Sequence, residues 1–271
     1  MNAPPTLPAE PDIAAPPRPG DSYVQSFARG LAVIRSFSAS APSQTLTEVA
    51  KSTGLTRAGA RRILLTLAQL GYVESQGRQF RLTPKILDLG FAYLSSLPLW
   101  NLAEPVMEAL VAEVKESCSV AVLDGADIVY VLRVPTHKIM SINLGIGSRL
   151  PAYCTSMGRV LLAGLPADVS RQRVSAAPRQ ALTARTLTDP DELERAVDTV
   201  RAQGWCLVDQ ELEEGLVSLA APIVDRGGRT IAALNISGQA NRTPPALLRE
   251  QFLPRLRDAA RQVSQLLRMK A

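Results

Sequence analysis

The stretch GLTRAGARRILLTLAQLG, residues 54–71, combines a turn signal, a helix cap and a charged helix face. Gly54 suits the left-handed conformation that ends a preceding helix, and Thr56 is the type of residue that caps the next one. In that next helix, apolar residues recur at three- and four-residue steps, and basic or polar residues occupy the other face. The apolar positions are Ala60, Ile63, Leu64, Leu67 and Leu70, and the polar positions are Arg57, Arg61, Arg62 and Thr66. The pattern predicts a helix-turn-helix with a positively charged outer face.

The sequence on either side completes a small domain. Residues 24–38, VQSFARGLAVIRSFS, space four apolar residues at helical steps, which predicts a helix with one buried face. These residues are Phe27, Leu31, Ile34 and Phe37. The segment LTEVAKSTG, residues 46–54, predicts a short helix that Thr47 caps. After it comes YVESQGRQFRLT, residues 72–83, in which two runs of strand formers around Gly77 predict a β-hairpin, or wing, with Arg78 at its tip.

These elements suit the recognition of double-stranded DNA. A recognition helix enters the major groove by its N-terminal end, and the arginine fork can pair with a guanine edge or a phosphate. Charge is distributed accordingly: residues 21–90 hold nine Lys/Arg and four Asp/Glu, whereas residues 91–271 hold twenty and nineteen. The residues predicted to contact operator DNA are Thr56, Arg57, Arg61, Arg62, Thr66 and Arg78.

The rest of the chain predicts a second, mixed domain. Residues 83–97, TPKILDLGFAYLSSL, read as a linker helix, and residues 119–134 and 215–238 each read as two strands around a tight turn. Residues 189–204, DPDELERAVDTVRAQG, carry helix start and stop signals, and the C-terminus reads as one helix or two broken near Pro254. The predicted fold class is α+β: an N-terminal winged helix-turn-helix, a linker helix and an antiparallel sheet with helices packed on it.

Composition limits the other functional classes. The chain has 271 residues, 46% of them hydrophobic, which is enough for two domains. Seven prolines among the first twenty residues predict a disordered tail over residues 1–21. Because the sequence shows neither a membrane span nor a signal peptide, we expect a cytoplasmic protein without a membrane partner. Three scattered cysteines and one histidine predict no metal site and no cofactor.

Several longer segments resemble one family of bacterial regulators. Over about residues 22–268, the chain resembles the isocitrate-lyase-regulator (IclR) family. The resemblance is carried by five segments in this order: GLAVIRSF, LTEVAKSTGLTRAGARRILLTLAQLGYV, FRLTPKILDLG, LPAYCTSMGRVLLA and GWCLVDQELEEGLVSLAAPIVD. Within this family, the chain is similar to the branch that controls catabolism of protocatechuate, 4-hydroxybenzoate and the β-ketoadipate pathway. The segments that carry this similarity are VQSFARGLAVIRSF, LTRAGARR, AYLSSLP and ESCSVAVLDG. The resemblance implies a GAF-like effector-binding domain and assembly into dimers, often dimers of dimers.

The resemblance also implies an effector pocket and a division into domains. The pocket residues that it implies are Tyr153, Thr155, Ser156, Met157, Glu211, Ser218, Asn235 and Ser237. Where the family often has Asp or Ser, this chain has Val208, so a more apolar pocket wall is expected. The expected domains are a tail at 1–21, a DNA-binding domain at 22–83, a linker helix at 84–99 and an effector-binding, oligomerising domain at 100–271.

Two arginines are candidates for holding an organic acid. Arg133 lies in the apolar strand run YVLRV, and Arg149 directly precedes LPAY. An arginine in an apolar strand is costly unless it meets a carboxylate, which could belong to a protein Asp or Glu or to an anionic effector. The sequence leaves both alternatives open for each arginine.

The sequence therefore predicts a ligand-responsive transcription regulator of an aromatic-acid catabolic operon, of the protocatechuate, 4-hydroxybenzoate or β-ketoadipate type. An alternative is a regulator of the same family that senses a small keto or dicarboxylic acid, and a third is an enzyme-like small-acid-binding protein. Catalysis is disfavoured because the sequence has no G-x-S-x-G elbow, no Gly-rich phosphate loop and no base near Cys154 or Ser156. The expected partners are operator DNA, a small organic acid and further copies of the chain, and no catalytic residue is predicted.

Overall fold

A computed structural model describes residues 23–96, 99–136 and 144–270. The chain divides into two compact units, residues 1–92 and 93–271, and the division falls inside the predicted linker helix. The predicted disordered tail, residues 1–21, lies outside the described residues.

The N-terminal unit is a winged helix-turn-helix, as predicted. Its helices are α1 (Gln25–Ser36), α2 (Leu46–Thr53) and α3 (Arg57–Gln69), and a 3-10 turn (Pro84–Ile86) leads into α4 (Leu87–Ser96). Its strands are β1 (Ser43–Thr45), β2 (Val73–Gln76) and β3 (Gln79–Leu82). The strands form an antiparallel sheet in the order β1-β3-β2, so the predicted hairpin gains a third strand that the sequence did not indicate.

Local signals fix the turn between α2 and α3. Gly54 has a φ of 67°, and the Thr56 hydroxyl accepts a hydrogen bond from the Gly59 amide at 3.1 Å. The predicted cap of α2 at Thr47 is wrong, because Thr45 caps this helix. Thr45 and Glu48 form a reciprocal capping box, in which the Glu48 carboxylate accepts from the Thr45 amide at 2.7 Å. This hydrogen bond and one from the Thr45 hydroxyl lower the pKa of Glu48.

The predicted buried face of α1 is confirmed at Phe37 and at Ile34, which packs against the same core, and is wrong at Phe27 and Leu31. Val33 and Phe37 are buried with residues of α2 and α3, whereas Phe27 and Leu31 are 68% and 42% exposed. The apolar residues of α1 span a wider arc than its contacts with α2 and α3 can cover. Because Val33 turns into the core, the side of the helix that carries Phe27 and Leu31 stays open to solvent. The predicted buried stripe of α3 is likewise cut short at its C-terminal end, since Leu70 is 52% exposed.

The C-terminal unit is built on one six-stranded antiparallel sheet, in the order β6-β5-β4-β9-β8-β7. Its strands are β4 (Ser117–Asp124), β5 (Asp127–Val134), β6 (Arg149–Pro151), β7 (Cys206–Asp209), β8 (Leu216–Val224) and β9 (Thr230–Gln239). Its helices are α5 (Leu99–Val114), α6 (Ser156–Ala163), α7 (Ala167–Ala176), α8 (Pro190–Gln203), the short α9 (Pro245–Leu247) and α10 (Leu253–Lys270). A π-helical turn, Leu248–Phe252, separates α9 from α10.

Helices cover both faces of this sheet, and the α+β prediction is confirmed. One core cluster joins α5 and α10 to one face, and a second cluster joins α6 and α8 to the other. The predicted break near Pro254 takes the form of the π-helical turn, after which Pro254 occupies the second position of α10. No helix among the described residues is long and apolar enough to span a membrane.

Candidate DNA-binding and effector-binding sites

The predicted DNA-contacting residues are all exposed. Within residues 23–96, the guanidinium groups of the four predicted arginines form no ion pair, and the Thr66 hydroxyl donates to the Arg62 carbonyl oxygen at 2.9 Å. Arg62 and Thr66 line an open groove between α1 and α3 together with Phe27 and Leu31, whereas Arg57 and Arg61 do not line it. The charged face of α3 therefore has two parts, which lie on different sides of the helix.

A small pocket lies on the sheet face that α6 and α8 cover. Its cavity volume is about 20 Å³, close to the space of one water molecule, so an aromatic ring can enter only if the walls move apart. Its polar lining consists of Thr155, Ser156, Ser218, Asn235 and Ser237. Its apolar lining consists of Tyr130, Leu144, Cys154, Met157, Val208, Leu212 and Leu216. The lining, apolar with a few convergent polar groups, has the composition typical of small-molecule sites.

Strand register brings the polar residues of the pocket floor together. Ser218 of β8 lies opposite Ser237 of β9 on one side and Val208 of β7 on the other. Asn235 lies two residues from Ser237 on the same face of β9, and its side-chain oxygen accepts from the Ser119 amide at 3.0 Å. Val208 lines this part of the pocket with an apolar side chain, which is the wall that the resemblance to the family implied.

The start of α6 forms another wall. Thr155 caps the helix: its hydroxyl accepts from the Gly158 amide at 3.1 Å and donates to the Pro151 carbonyl at 3.1 Å. The first amides of a helix, here those of Ser156 and Met157, have no acceptor within the helix and favour a negative charge. Gly158 allows the close packing of this turn, because a Cβ atom there would lie 2.1 Å from the Ala152 carbonyl oxygen.

A β-bulge determines where Arg133 lies. Leu132 pairs with Val120 and Tyr130 pairs with Ala121, so Val131 is an extra residue in β5. Val131 and Leu132 are both buried in the cluster with α5 and α10. Arg133 consequently lies on the pocket face opposite Ser119, to whose hydroxyl it donates at 3.2 Å. Arg133 is half-buried and is not itself a lining residue.

Three other predicted pocket residues do not line the pocket. Arg149 is exposed, and its guanidinium lies 2.6 Å from an Asp124 oxygen and 3.2 Å from an Asp127 oxygen. These protein carboxylates correspond to the first of the two alternatives that the sequence left open for Arg149. The Tyr153 hydroxyl donates to the Gln180 carbonyl at 2.7 Å and accepts from the Gln180 amide at 3.0 Å.

The third is Glu211, whose carboxylate pairs with Arg159, a residue that the sequence analysis did not single out. The two side chains are 9% and 5% exposed and form two parallel hydrogen bonds of 2.7 and 2.5 Å. Arg159 lies in the helical segment SMGRVLLA. Its position as the single charged residue among apolar ones was the only sign in the sequence that it could be a buried, paired arginine. Its partner is 52 residues away and could not be identified from the sequence pattern.

The ionisable groups in the pocket wall stay neutral near pH 7. Burial raises the pKa of Tyr130 to about 12 against the opposing effect of Arg133, and it raises the pKa of the Cys154 thiol to about 11. A bound anion would therefore meet neither a phenolate nor a thiolate in this wall. Among the described residues, no group of three His, Cys, Asp or Glu side chains could hold a metal ion.

Family comparisons cover both units. The IclR helix-turn-helix domain matches residues 26–77, and the bacterial transcriptional regulator IclR C-terminal domain matches residues 91–265. The chain belongs to the IclR family of bacterial transcription regulators. IclR membership agrees with the fold and with the predicted class, a ligand-responsive DNA-binding regulator rather than an enzyme.

Individual IclR-family relatives are similar over nearly the whole chain. The Pca regulon regulatory protein of Pseudomonas putida is 44% identical, over 93% of this chain and 89% of its own length. The p-hydroxybenzoate hydroxylase transcriptional activator of Acinetobacter baylyi is 36% identical, over 91% and 93%. The crystal structure of an IclR homolog from Microbacterium hydrocarbonoxydans, complexed with 4-hydroxybenzoate, has a TM-score of 0.80 and 25% identity, over 90% of this chain and all of that one.

Proposed function

We propose that this IclR-family regulator controls an aromatic-acid catabolic operon and senses a small aromatic hydroxy acid such as protocatechuate or 4-hydroxybenzoate. The observation that carries the proposal is the pocket between α6 and the sheet, which combines apolar walls with serine hydroxyls and helix amides. The relatives named for the Pca regulon and for p-hydroxybenzoate hydroxylase, and the homolog bound to 4-hydroxybenzoate, support the same ligand class.

The pocket offers a separate group for each part of such a ligand. Met157, Val208 and Leu212 provide apolar contacts for a ring. Ser218 and Ser237 provide hydroxyls at adjacent strand positions for a ring hydroxyl. We assign the carboxylate to the amides at the start of α6, with Arg133 supplying positive charge, because Arg133 lies on the sheet face that carries the pocket whereas Arg149 is exposed beside Asp124 and Asp127.

Calorimetry on the full chain with 4-hydroxybenzoate tests this assignment. Arg133 supplies charge without lining the pocket, so Arg133→Ala should weaken binding by about three- to tenfold. Arg149→Ala is the matched control and should leave the affinity unchanged. If hydroxybenzoates give no heat while a keto or dicarboxylic acid binds, the aromatic assignment is wrong and the alternative effector class replaces it.

We further propose that residues 22–83 bind operator DNA through Thr56, Arg57, Arg61, Arg62, Thr66 and Arg78. The support is that these residues are exposed on α3 and the wing and that the arginines have no ion-pair partner within residues 23–96. Arg61→Ala should weaken operator binding and, where a phosphate contact is lost, flatten the salt dependence by about 0.9 in log–log slope. Arg171→Ala, which removes an exposed arginine from α7, is the control.

We also propose that the chain acts as a dimer in the cytoplasm. Residues 84–99 would connect the DNA-binding domain to an effector-binding, oligomerising domain at 100–271. Exposed apolar side chains on α1 and α4 support pairing through these helices; they include Phe27, Leu31, Leu87 and Phe91. Two half-sites are needed for operator-level affinity, so a monomer in light scattering that retained full affinity would contradict the dimer. The effector would then act by favouring one arrangement of the paired DNA-binding domains.

A further inference from the structure

A buried ion pair lies beside the pocket without lining it. Arg159 projects from α6, and Glu211 lies in the turn between β7 and β8. The Arg159 guanidinium makes both parallel hydrogen bonds to the Glu211 carboxylate and also donates from Nε to the Tyr153 carbonyl at 2.9 Å. Such a fork fixes the orientation of both side chains.

Glu211 also collects hydrogen bonds from the segment before α8. The Leu187 amide donates to a Glu211 carboxylate oxygen at 3.1 Å, and the Thr186 hydroxyl donates to the Glu211 carbonyl at 2.6 Å. One residue earlier, the Gln210 carbonyl accepts from the Thr183 hydroxyl at 2.7 Å. Three segments distant in sequence therefore meet at Glu211: the start of α6, residues 183–187 and the turn after β7.

The turn itself forms part of the pocket wall. Gln210 has a φ of 62°, unusual for a residue other than glycine, and its amide donates to the Leu216 carbonyl at 2.8 Å. The Gly215 amide donates to the Gln210 side-chain oxygen at 2.9 Å. Leu212 lies within this turn and Leu216 is the first residue of β8 after it, and both line the pocket. Glu211 directly precedes Leu212, so the contacts that hold Glu211 also bear on the position of this wall.

We infer that Arg159 and Glu211 form a clamp that positions two walls of the effector pocket, and that Glu211 is a positioning residue and not an effector ligand. Both carboxylate oxygens are already engaged, and a free carboxylate would repel an anionic effector. The pair joins α6, whose first residues form one wall, to the turn that carries Leu212 and leads into Leu216. This inference rests on the proposed effector class only for the choice of the ligands that probe it.

Calorimetry on the full chain distinguishes positioning from contact. The probes are 4-hydroxybenzoate and benzoate. They differ by a hydroxyl group, which could donate a hydrogen bond to a carboxylate in contact with the ligand. Binding of benzoate is measured by competition. Glu211→Gln should weaken both probes by the same factor, about three- to tenfold. If Glu211 acts through Arg159, adding Glu211→Gln to Arg159→Gln should cause no further loss. The matched control is Glu214→Gln, which removes an exposed carboxylate from the same turn.

Amide hydrogen exchange tests the clamp without any ligand. Glu211→Gln should speed exchange at Leu187, Gly215 and Leu216, whereas Glu214→Gln should not. The double variant Arg159→Gln/Glu211→Gln contains neither buried charge and keeps the test available if a single variant unfolds. The clamp is overturned if Glu211→Gln weakens binding of 4-hydroxybenzoate but not of benzoate. It is also overturned if amide exchange is unchanged in both Glu211→Gln and the double variant. If the wild-type chain binds neither probe, the proposed effector class is wrong, and exchange alone decides whether the clamp exists.

Discussion

The arginines that matter most in each unit have different surroundings. In the N-terminal unit, Arg57 and Arg61 are exposed at the start of α3 and form no ion pair within residues 23–96. In the C-terminal unit, Arg159 is buried and hydrogen-bonded to the Glu211 carboxylate and the Tyr153 carbonyl, and even the exposed Arg149 contacts two aspartates. A surface that binds a polyanion must leave its cations available, whereas a unit that encloses a small ligand must satisfy its polar groups internally.

The same contrast extends to packing. Over its described residues, 23–92, the N-terminal unit has one small core cluster and leaves Phe27, Leu31 and Phe91 exposed. The C-terminal unit has a core cluster on each face of its sheet, and it buries polar residues such as Ser119 and Asn235 on the paired strands β4 and β9. A substitution at a matched position should therefore cost more free energy of unfolding in the C-terminal unit. The predictions below run from the largest expected difference to the smallest.

Alkaline pH should affect the C-terminal unit most strongly, because all three cysteines belong to it. Burial raises the pKa of Cys206 from 9.0 to about 12 and that of Cys154 to about 11, and it also raises the pKa of Cys118. Above about pH 9 the unfolded chain releases these protons while the folded unit retains them. The free energy of unfolding should therefore fall with rising pH, by about 1.4 kcal/mol per pH unit for each thiol, until the folded pKa is reached.

Urea unfolding followed by tryptophan fluorescence measures this effect, since Trp100 and Trp205 both lie in the C-terminal unit. Cys206→Ala is the informative variant. It should reduce the pH slope between pH 9 and 12 by about 1.4 kcal/mol per unit. An unchanged slope would mean that this thiol ionises as readily in the folded unit as in the unfolded chain.

The next largest difference should separate the buried ion pair from the exposed one. Arg159→Met leaves the Glu211 carboxylate buried without its partner and should cost about 3 to 5 kcal/mol of unfolding free energy. Arg149→Met breaks pairs with Asp124 and Asp127 at the surface and should cost about 1 kcal/mol or less. Both are measured by urea unfolding at pH 7. Similar costs for the two variants would show that burial does not govern the strength of these pairs.

A steric test compares two glycines in helices. Gly158→Ala places a methyl group 2.1 Å from the Ala152 carbonyl oxygen, so the turn between β6 and α6 must shift. The expected cost is about 1 to 3 kcal/mol. Gly90→Ala, in α4, meets no atom within 4 Å and should be neutral or stabilise the helix by about 0.5 to 1 kcal/mol. Thermal unfolding measures both, and a stable Gly158→Ala variant would mean that this turn adapts readily.

The features that the sequence predicted well are local ones. Gly54, Thr56 and the Asp189–Gly204 boundaries of α8 follow from backbone conformation and capping within a few residues, so they can be identified without knowledge of the fold. The polar residues on β8 and β9 were implied by family resemblance, and strand register brings Ser218 and Ser237 side by side.

The features that the sequence did not predict depend on distant contacts. Phe27 has the same helical spacing as a core residue, and only the packing of α1 against α2 and α3 determines that Val33 is buried instead. The bulge at Val131 that turns Arg133 to the pocket face depends on pairing between β4 and β5. Arg159 and Glu211 are 52 residues apart, and neither residue shows a periodic signal that would reveal the other.

The smallest expected difference compares two helix caps that have the same chemistry. Thr56 caps α3 and Thr155 caps α6, and each hydroxyl accepts from a glycine amide three residues later at 3.1 Å. Thr56 is exposed, so water can replace its hydroxyl, and Thr56→Ala should cost about 0.5 to 1 kcal/mol. Thr155 is buried and also donates to the Pro151 carbonyl, so Thr155→Ala removes two hydrogen bonds from a site that excludes water and should cost about 2 kcal/mol. Thr→Ser at each position retains the hydroxyl and is the control. Native-state hydrogen exchange at the Gly59 and Gly158 amides measures each cap separately. Equal losses of protection at both caps would mean that solvent reaches the start of α6 as easily as the start of α3. The two units would then not differ in how well they exclude water from a helix cap.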